Sequence, residues 1–158
     1  RWDRAIVDDV PETLHNRLGI AIGQKAYKAY LDLINSPRWQ RALNFGARPQ
    51  RLLWASTGSK DPNASDVLYI TSLASPFTVN TMPEQTLKAF ADHGDLGDAL
   101  PADGGDCETL LNDFTQAGVD NQALAARLQE EGAESFVKSW NELMEVITTK
   151  SESLVQAD

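Results

Sequence analysis

Apolar residues along the chain keep two rhythms, and the alternation between them predicts the elements. From Leu14, the positions Leu18, Ile22 with Ala21, Ala26, Ala29 and Leu33 recur at helical spacing and predict a long first helix. Pro11 and Glu12 mark its start, with Asp9 or Val10 near the cap. Tyr27 and Tyr30 flank the stripe and read as core packing. Ser36 and Pro37 predict the cap and first position of a second, short helix that Gly46 ends. The helical period then stops. Leu52, Leu53, Trp54 and Ala55 form one apolar run bounded by turn signals, which predicts a strand near 50–55 buried on both faces.

The strand signal recurs. A helix is predicted from a Ser65 cap to about Ala74, on Val67, Leu68, Ile70 and Leu73, and Ser75-Pro76 ends it. Phe77 to Asn80 predict a second short strand. Pro83 opens a helix carrying Leu87, Phe90 and Ala91, and Gly94 stops it. Strand, helix, strand, helix with short links predicts an α/β fold with parallel strands.

After Gly94 the pattern changes. Residues 95–106 read as a solvated acidic Gly/Asp linker; Asp103-Gly104-Gly105-Asp106 lacks the alternating ligands of a calcium loop. Three helices are expected beyond it. The first runs from Cys107 to Ala117 and ends at Gly118. The second is capped by Asp120 and ends at Gly132. The last runs from Ala133 to about Thr149, with Phe136, Val137, Trp140, Leu143, Met144 and Ile147 on its buried side. The domain division expected is therefore 1–94, 95–106 and 107–158.

Composition and charge narrow the function classes. Apolar content of 42% and charged content of 23% are those of a globular domain. No apolar run approaches the ~18 residues of a membrane-spanning helix, and no basic-then-apolar leader is present. The one cysteine, Cys107, forms no internal disulfide and fits a reducing compartment. The chain begins at Arg1 rather than Met, which leads us to expect an upstream part. Residues 1–60 hold ten Lys/Arg against five Asp/Glu; residues 61–158 hold four against eighteen. An anionic ligand is expected near the first part, and the acidic second part argues against nucleic acid.

The candidate chemistry follows the first strand. Ser56 and Thr57 supply hydroxyls, Gly58 allows close backbone approach, and Lys60 supplies a cation, a set suited to phosphate or carboxylate. An ordinary polar loop is the alternative. The glycine spacing of a P-loop is absent, and Asp61 stands where Ser or Thr is required. His15 and His93 have no metal-ligand pattern around them, and no nucleophile elbow is visible.

Four stretches carry a resemblance. They are Arg1-Trp2-Asp3; Arg48 to Pro62, which includes Trp54-Ala55-Ser56-Thr57-Gly58-Ser59-Lys60; Asp66-Val67-Leu68-Tyr69; and Thr78 to Glu84 followed by Ala91-Asp92-His93-Gly94. Ala125 to Gln129 and Ser135 to Trp140 add to it. On these the chain resembles a transaldolase of the longer bacterial type, sometimes fused to phosphoglucose isomerase. The resemblance covers nearly the whole chain but only the second half of the family's protein.

The resemblance implies the C-terminal part of a (β/α)8 TIM barrel, with extra helices after it. Arg1 would end strand six, residues 50–55 would be strand seven and residues 77–80 strand eight. It implies a cytoplasmic enzyme of the pentose phosphate pathway that needs no cofactor. A dihydroxyacetone unit passes from sedoheptulose 7-phosphate to glyceraldehyde 3-phosphate through a lysine Schiff base. That lysine and the acid/base carboxylates lie upstream of Arg1, so the isolated chain is expected to be inactive. What carries over is a substrate-phosphate clamp of Arg1, Ser56 and Lys60. The partners implied are sugar phosphates and either a second copy or the missing N-terminal half, with no nucleic acid and no membrane. The alternative from another class is a non-enzymatic α/β module that binds an anion or a protein.

Overall fold

The computed structural model describes residues 10–59 and 61–155, together with Asp3 and Ile6. The chain forms two compact units, Arg1–Val119 and Asp120–Asp158.

The first unit is built around helix α1, Leu18–Ile34. The expected helix does not run unbroken from Pro11. A 3-10 turn at Glu12–Leu14 comes first, and Asn16 then takes a left-handed backbone, φ 59°. The break has a tertiary cause. The first free N–H groups of α1, on Leu18 and Gly19, donate to the carboxylate of Asp3 at 2.8 and 3.1 Å. An acceptor from earlier in the chain thus satisfies donors that a continuous helix would have satisfied itself.

The predicted stripe on α1 also changes. Leu14, Leu18, Ala21 and Tyr27 are buried, whereas Ala26, Ala29 and Leu33 are exposed. The reason is that α1 is packed on two sides. Helix α5, Cys107–Gln116, lies along one side. There Gln24 and Lys25 reach Asp106 and Glu108, and Cys107, Leu110, Leu111 and Phe114 are buried. On the other side Tyr27 forms a core with Leu73 and Leu100, against which Tyr30, Leu31, Leu52, Trp54 and Tyr69 pack. A single helical stripe describes one such side but not two.

Helix α2, Pro37–Asn44, matches its prediction: the Ser36 hydroxyl accepts from Trp39 N at 3.2 Å, and Gly46 turns left-handed after it. Strand β1, Leu52–Ala55, and strand β2, Thr78–Thr81, pair in parallel, with Leu52 opposite Thr78 and Ala55 opposite Thr81. Between them, helix α3 spans Leu68–Ser72. It begins later than the predicted Ser65 cap, because the Ser65 hydroxyl accepts from Val67 N in a local turn. Helix α4, Glu84–His93, follows Pro83 and ends at Gly94, as predicted.

One expectation for β1 is corrected. The strand is not buried on both faces. Leu52 and Trp54 turn into the core, but Leu53 is 49% exposed and Ala55 is exposed. The helices cover one face, and among the described residues nothing covers the other. The segment 95–106 is anchored midway, where buried Leu100 donates its N–H to Ala74 O at 2.8 Å.

The second unit is one helix, α6, Asn121–Val155. Asp120 Oδ1 caps it by accepting from Gln122 and Ala123 N. Gly132 does not divide it, contrary to expectation. One interior glycine costs about 1 kcal/mol. Its neighbours Glu130, Glu131, Ala133 and Glu134 favour helix, and Arg127–Glu131 and Lys138–Glu142 pair along the surface. The row Phe136, Val137, Trp140, Leu143, Met144 and Ile147, expected on a buried side, is exposed, Phe136 at 81%.

Candidate functional site

The site begins where β1 ends. Parallel strands direct their carboxyl ends the same way, so the β1–α3 loop and the β2–α4 turn emerge side by side. Ser56 is the first residue past β1. It is exposed and takes a left-handed backbone, φ 57°, a conformation that costs a non-glycine residue about 1–2 kcal/mol. That places a hydroxyl-bearing residue in solvent at the strand's carboxyl end.

Thr57 behaves differently from the expectation that its hydroxyl serves a ligand. It is buried, and its Oγ1 donates to Asn80 Oδ1 at 2.7 Å. The hydroxyl therefore joins the end of β1 to β2. Gly58 follows in close contact with the next turn. A Cβ there would lie 3.2 Å from Pro83 Cγ and 3.3 Å from the hydroxyl of buried Thr86. The loop is thus laid against the start of α4, where only a hydrogen fits comfortably.

Its far end is tied as well. Asp61 Oδ2 accepts from Asn16 Nδ2 at 2.7 Å, and Oδ1 accepts from Asn63 N at 2.9 Å. These two bonds, the Asn16 amide first, hold the Asp61 carboxyl below its usual range. Ser59 donates to Asp61 O at 3.3 Å.

Behind the loop, Asp3 is buried among donors: Leu18 N, Gly19 N and the Tyr69 hydroxyl, the last at 2.7 Å. Burial, and then the Asp3 carboxylate, push the Tyr69 hydroxyl's pKa up, so it remains a donor. Nearer the surface, His93 Nε2 lies 2.9 Å from Asp66 Oδ1 and Nδ1 lies 3.3 Å from Asp92 Oδ2. Among the described residues, no cluster of His, Cys, Asp and Glu could hold a metal ion, and no helix is long and apolar enough to cross a membrane.

Of the three predicted clamp residues, Ser56 stands at the loop's start; Arg1 and Lys60 lie outside the described residues. Sequence reasoning did not find Asn16, Asp3, Asn80, Thr86 or Tyr69 as parts of this region. The available signals were slight: an asparagine early in the helical stripe, and a polar Asn80 within a strand.

Comparison with known proteins gives the family. The family model described as Transaldolase/Fructose-6-phosphate aldolase matches residues 1–147. A protein of Parafrankia sp. named Transaldolase is 45% identical over 137 residues, covering 86% of this chain and 37% of that protein. One from Mycolicibacterium paratuberculosis is 46% identical over 134 residues, 84% of this chain and 36% of that protein. One from Thermobifida fusca is 44% identical over 133 residues, with similar coverage. The chain spans a little over a third of the length of these relatives. The family implies a (β/α)8 barrel, of which β1, α3, β2 and α4 are consecutive strand–helix units. The chain belongs to the transaldolase/fructose-6-phosphate aldolase family.

Proposed function

We propose that this chain supplies the sugar-phosphate-binding side of a transaldolase. The observation that carries the reading is family membership across residues 1–147, with relatives named Transaldolase at 44–46% identity. The polar loop at the carboxyl end of a parallel strand supports it, because barrel enzymes bind substrate phosphate on that face. The complete enzyme would move a dihydroxyacetone unit between sedoheptulose 7-phosphate and glyceraldehyde 3-phosphate, in the cytoplasm.

In that reaction a lysine outside this chain forms the Schiff base and carboxylates move the protons. The residues here bind and orient. Arg1 and Lys60 would neutralise the phosphate, and Ser56 would donate a hydrogen bond. Such charge-assisted bonds contribute about 1.5–3 kcal/mol each. In sequence Lys60 stands between Ser59 and Asp61, polar neighbours unlike the apolar surroundings that lower a Schiff-base lysine's pKa. Residues 1–94 would form barrel units that complete their sheet with the rest of the protein.

Lys60→Met in the full-length enzyme tests the reading. KM for the sugar phosphate should rise by one to two orders of magnitude, with kcat largely kept, from loss of about 1.5–3 kcal/mol. A collapse of kcat at unchanged KM would assign Lys60 a chemical role and overturn the clamp.

A further inference from the structure

Residues 16–19 hold two distant parts of the chain at once. Asn16 Nδ2 donates to Asp61 Oδ2 at 2.7 Å, and Leu18 N and Gly19 N donate to Asp3 Oδ1 and Oδ2 at 2.8 and 3.1 Å. Asp61 lies in the β1–α3 loop, five residues beyond Ser56 and next to Lys60 in sequence. Asp3 lies two residues beyond Arg1. Each part proposed to take the phosphate is therefore followed closely by a carboxylate fastened to the same four-residue segment.

The segment is shaped for this. Asn16 takes φ 59°, a conformation that asparagine tolerates better than most residues, and its side chain is thereby aimed at Asp61. At Gly19 a Cβ would lie 2.6 Å from Asp3 Oδ2, so the close approach requires glycine. Both Asp61 oxygens are engaged, one by Asn16 and one by Asn63 N, so this end of the loop is fixed at two points.

We propose that Asn16 is a positioning residue for sugar-phosphate binding, acting through Asp61 to set the loop that runs from Ser56. The proposal rests on the phosphate-binding reading above. A loop ordered before the ligand arrives binds without the entropy loss of ordering it then. The effect belongs to affinity rather than to the chemical step.

The test uses variants of the full-length enzyme. Asn16→Gly keeps the left-handed backbone and removes the amide. It should raise KM for sugar phosphate about five- to tenfold, with kcat within about twofold. Asn16→Asp sets a carboxylate against Asp61 and should raise KM further. The exchange Asn16→Asp with Asp61→Asn restores one donor and one acceptor, and should return KM to within about threefold of the parent. In a Lys60→Met background, Asn16→Gly should add less than about twofold, because both act on one interaction. A fall in kcat at unchanged KM, no recovery in the exchange, or full additivity with Lys60→Met overturns the proposal. If Lys60→Met and Ser56→Ala leave KM unchanged, the phosphate reading itself has failed. If they raise KM while Asn16→Gly does not, the positioning role alone has failed.

Discussion

Thr57 Oγ1 donates to Asn80 Oδ1 at 2.7 Å, joining the residue two places past β1 to the third residue of β2. Thr57 is buried, so removing its hydroxyl leaves the Asn80 oxygen without that donor. Thr57→Val is nearly isosteric and isolates the effect. It should destabilise the protein by about 1–2 kcal/mol, with Thr57→Ser losing less. Denaturant unfolding of both variants measures this. Equal stability of Thr57→Val and the parent would show that the bond contributes nothing net.

His93 predicts a pH dependence of stability. Hydrogen bonds to Asp66 and then Asp92 raise its pKa above the ordinary 6.5. The folded state therefore binds the proton more tightly than the unfolded chain. The stabilisation is complete below about pH 6.5 and fades as pH rises through the raised pKa. The melting temperature of the parent should exceed that of His93→Gln by more near pH 5.5 than near pH 8.5. The side chains are half exposed or more, so added salt should shrink the gap. A gap that stays constant across this range rules out the linkage.

The two-stranded sheet makes a prediction for residues 1–158 on their own. Among the described residues, the outer edges of β1 and β2 have no strand beside them, and Leu53 and Phe77 are 49% and 72% exposed. Such edges and faces favour pairing with further chain. Sedimentation of the purified chain at micromolar concentration should show self-association, and borohydride with fructose 6-phosphate should trap no adduct. A compact monomer that melts cooperatively would count against a partial barrel, and an adduct on any lysine would count against the upstream Schiff base.

The elements were largely legible because local chemistry sets them. The Leu52–Ala55 run, Ser36 before Pro37, Pro83 and the stops at Gly46 and Gly94 each act within a few residues, and each lies within a residue or two of where the pattern put it. Gly132 misled, because a glycine's local cost was outweighed by the helix-favouring residues around it. The Ser56 loop was visible as polar residues after an apolar run.

The division of labour within that loop was not visible. Thr57 and Ser56 are adjacent hydroxyl residues with similar chemistry. The fold alone sends one to Asn80 and leaves the other in solvent. Likewise, the break before α1 depends on Asp3, fifteen residues from Leu18, and the tether of Asp61 depends on Asn16, 45 residues away. The sequence by itself determined which segments are helix or strand and where the candidate polar loop lies, since those follow from period, caps and turn residues. The tertiary structure decided which polar side chains satisfy one another and which remain for a ligand. Hydrogen bonds form between groups brought close in space, and sequence separation carries no information about that distance.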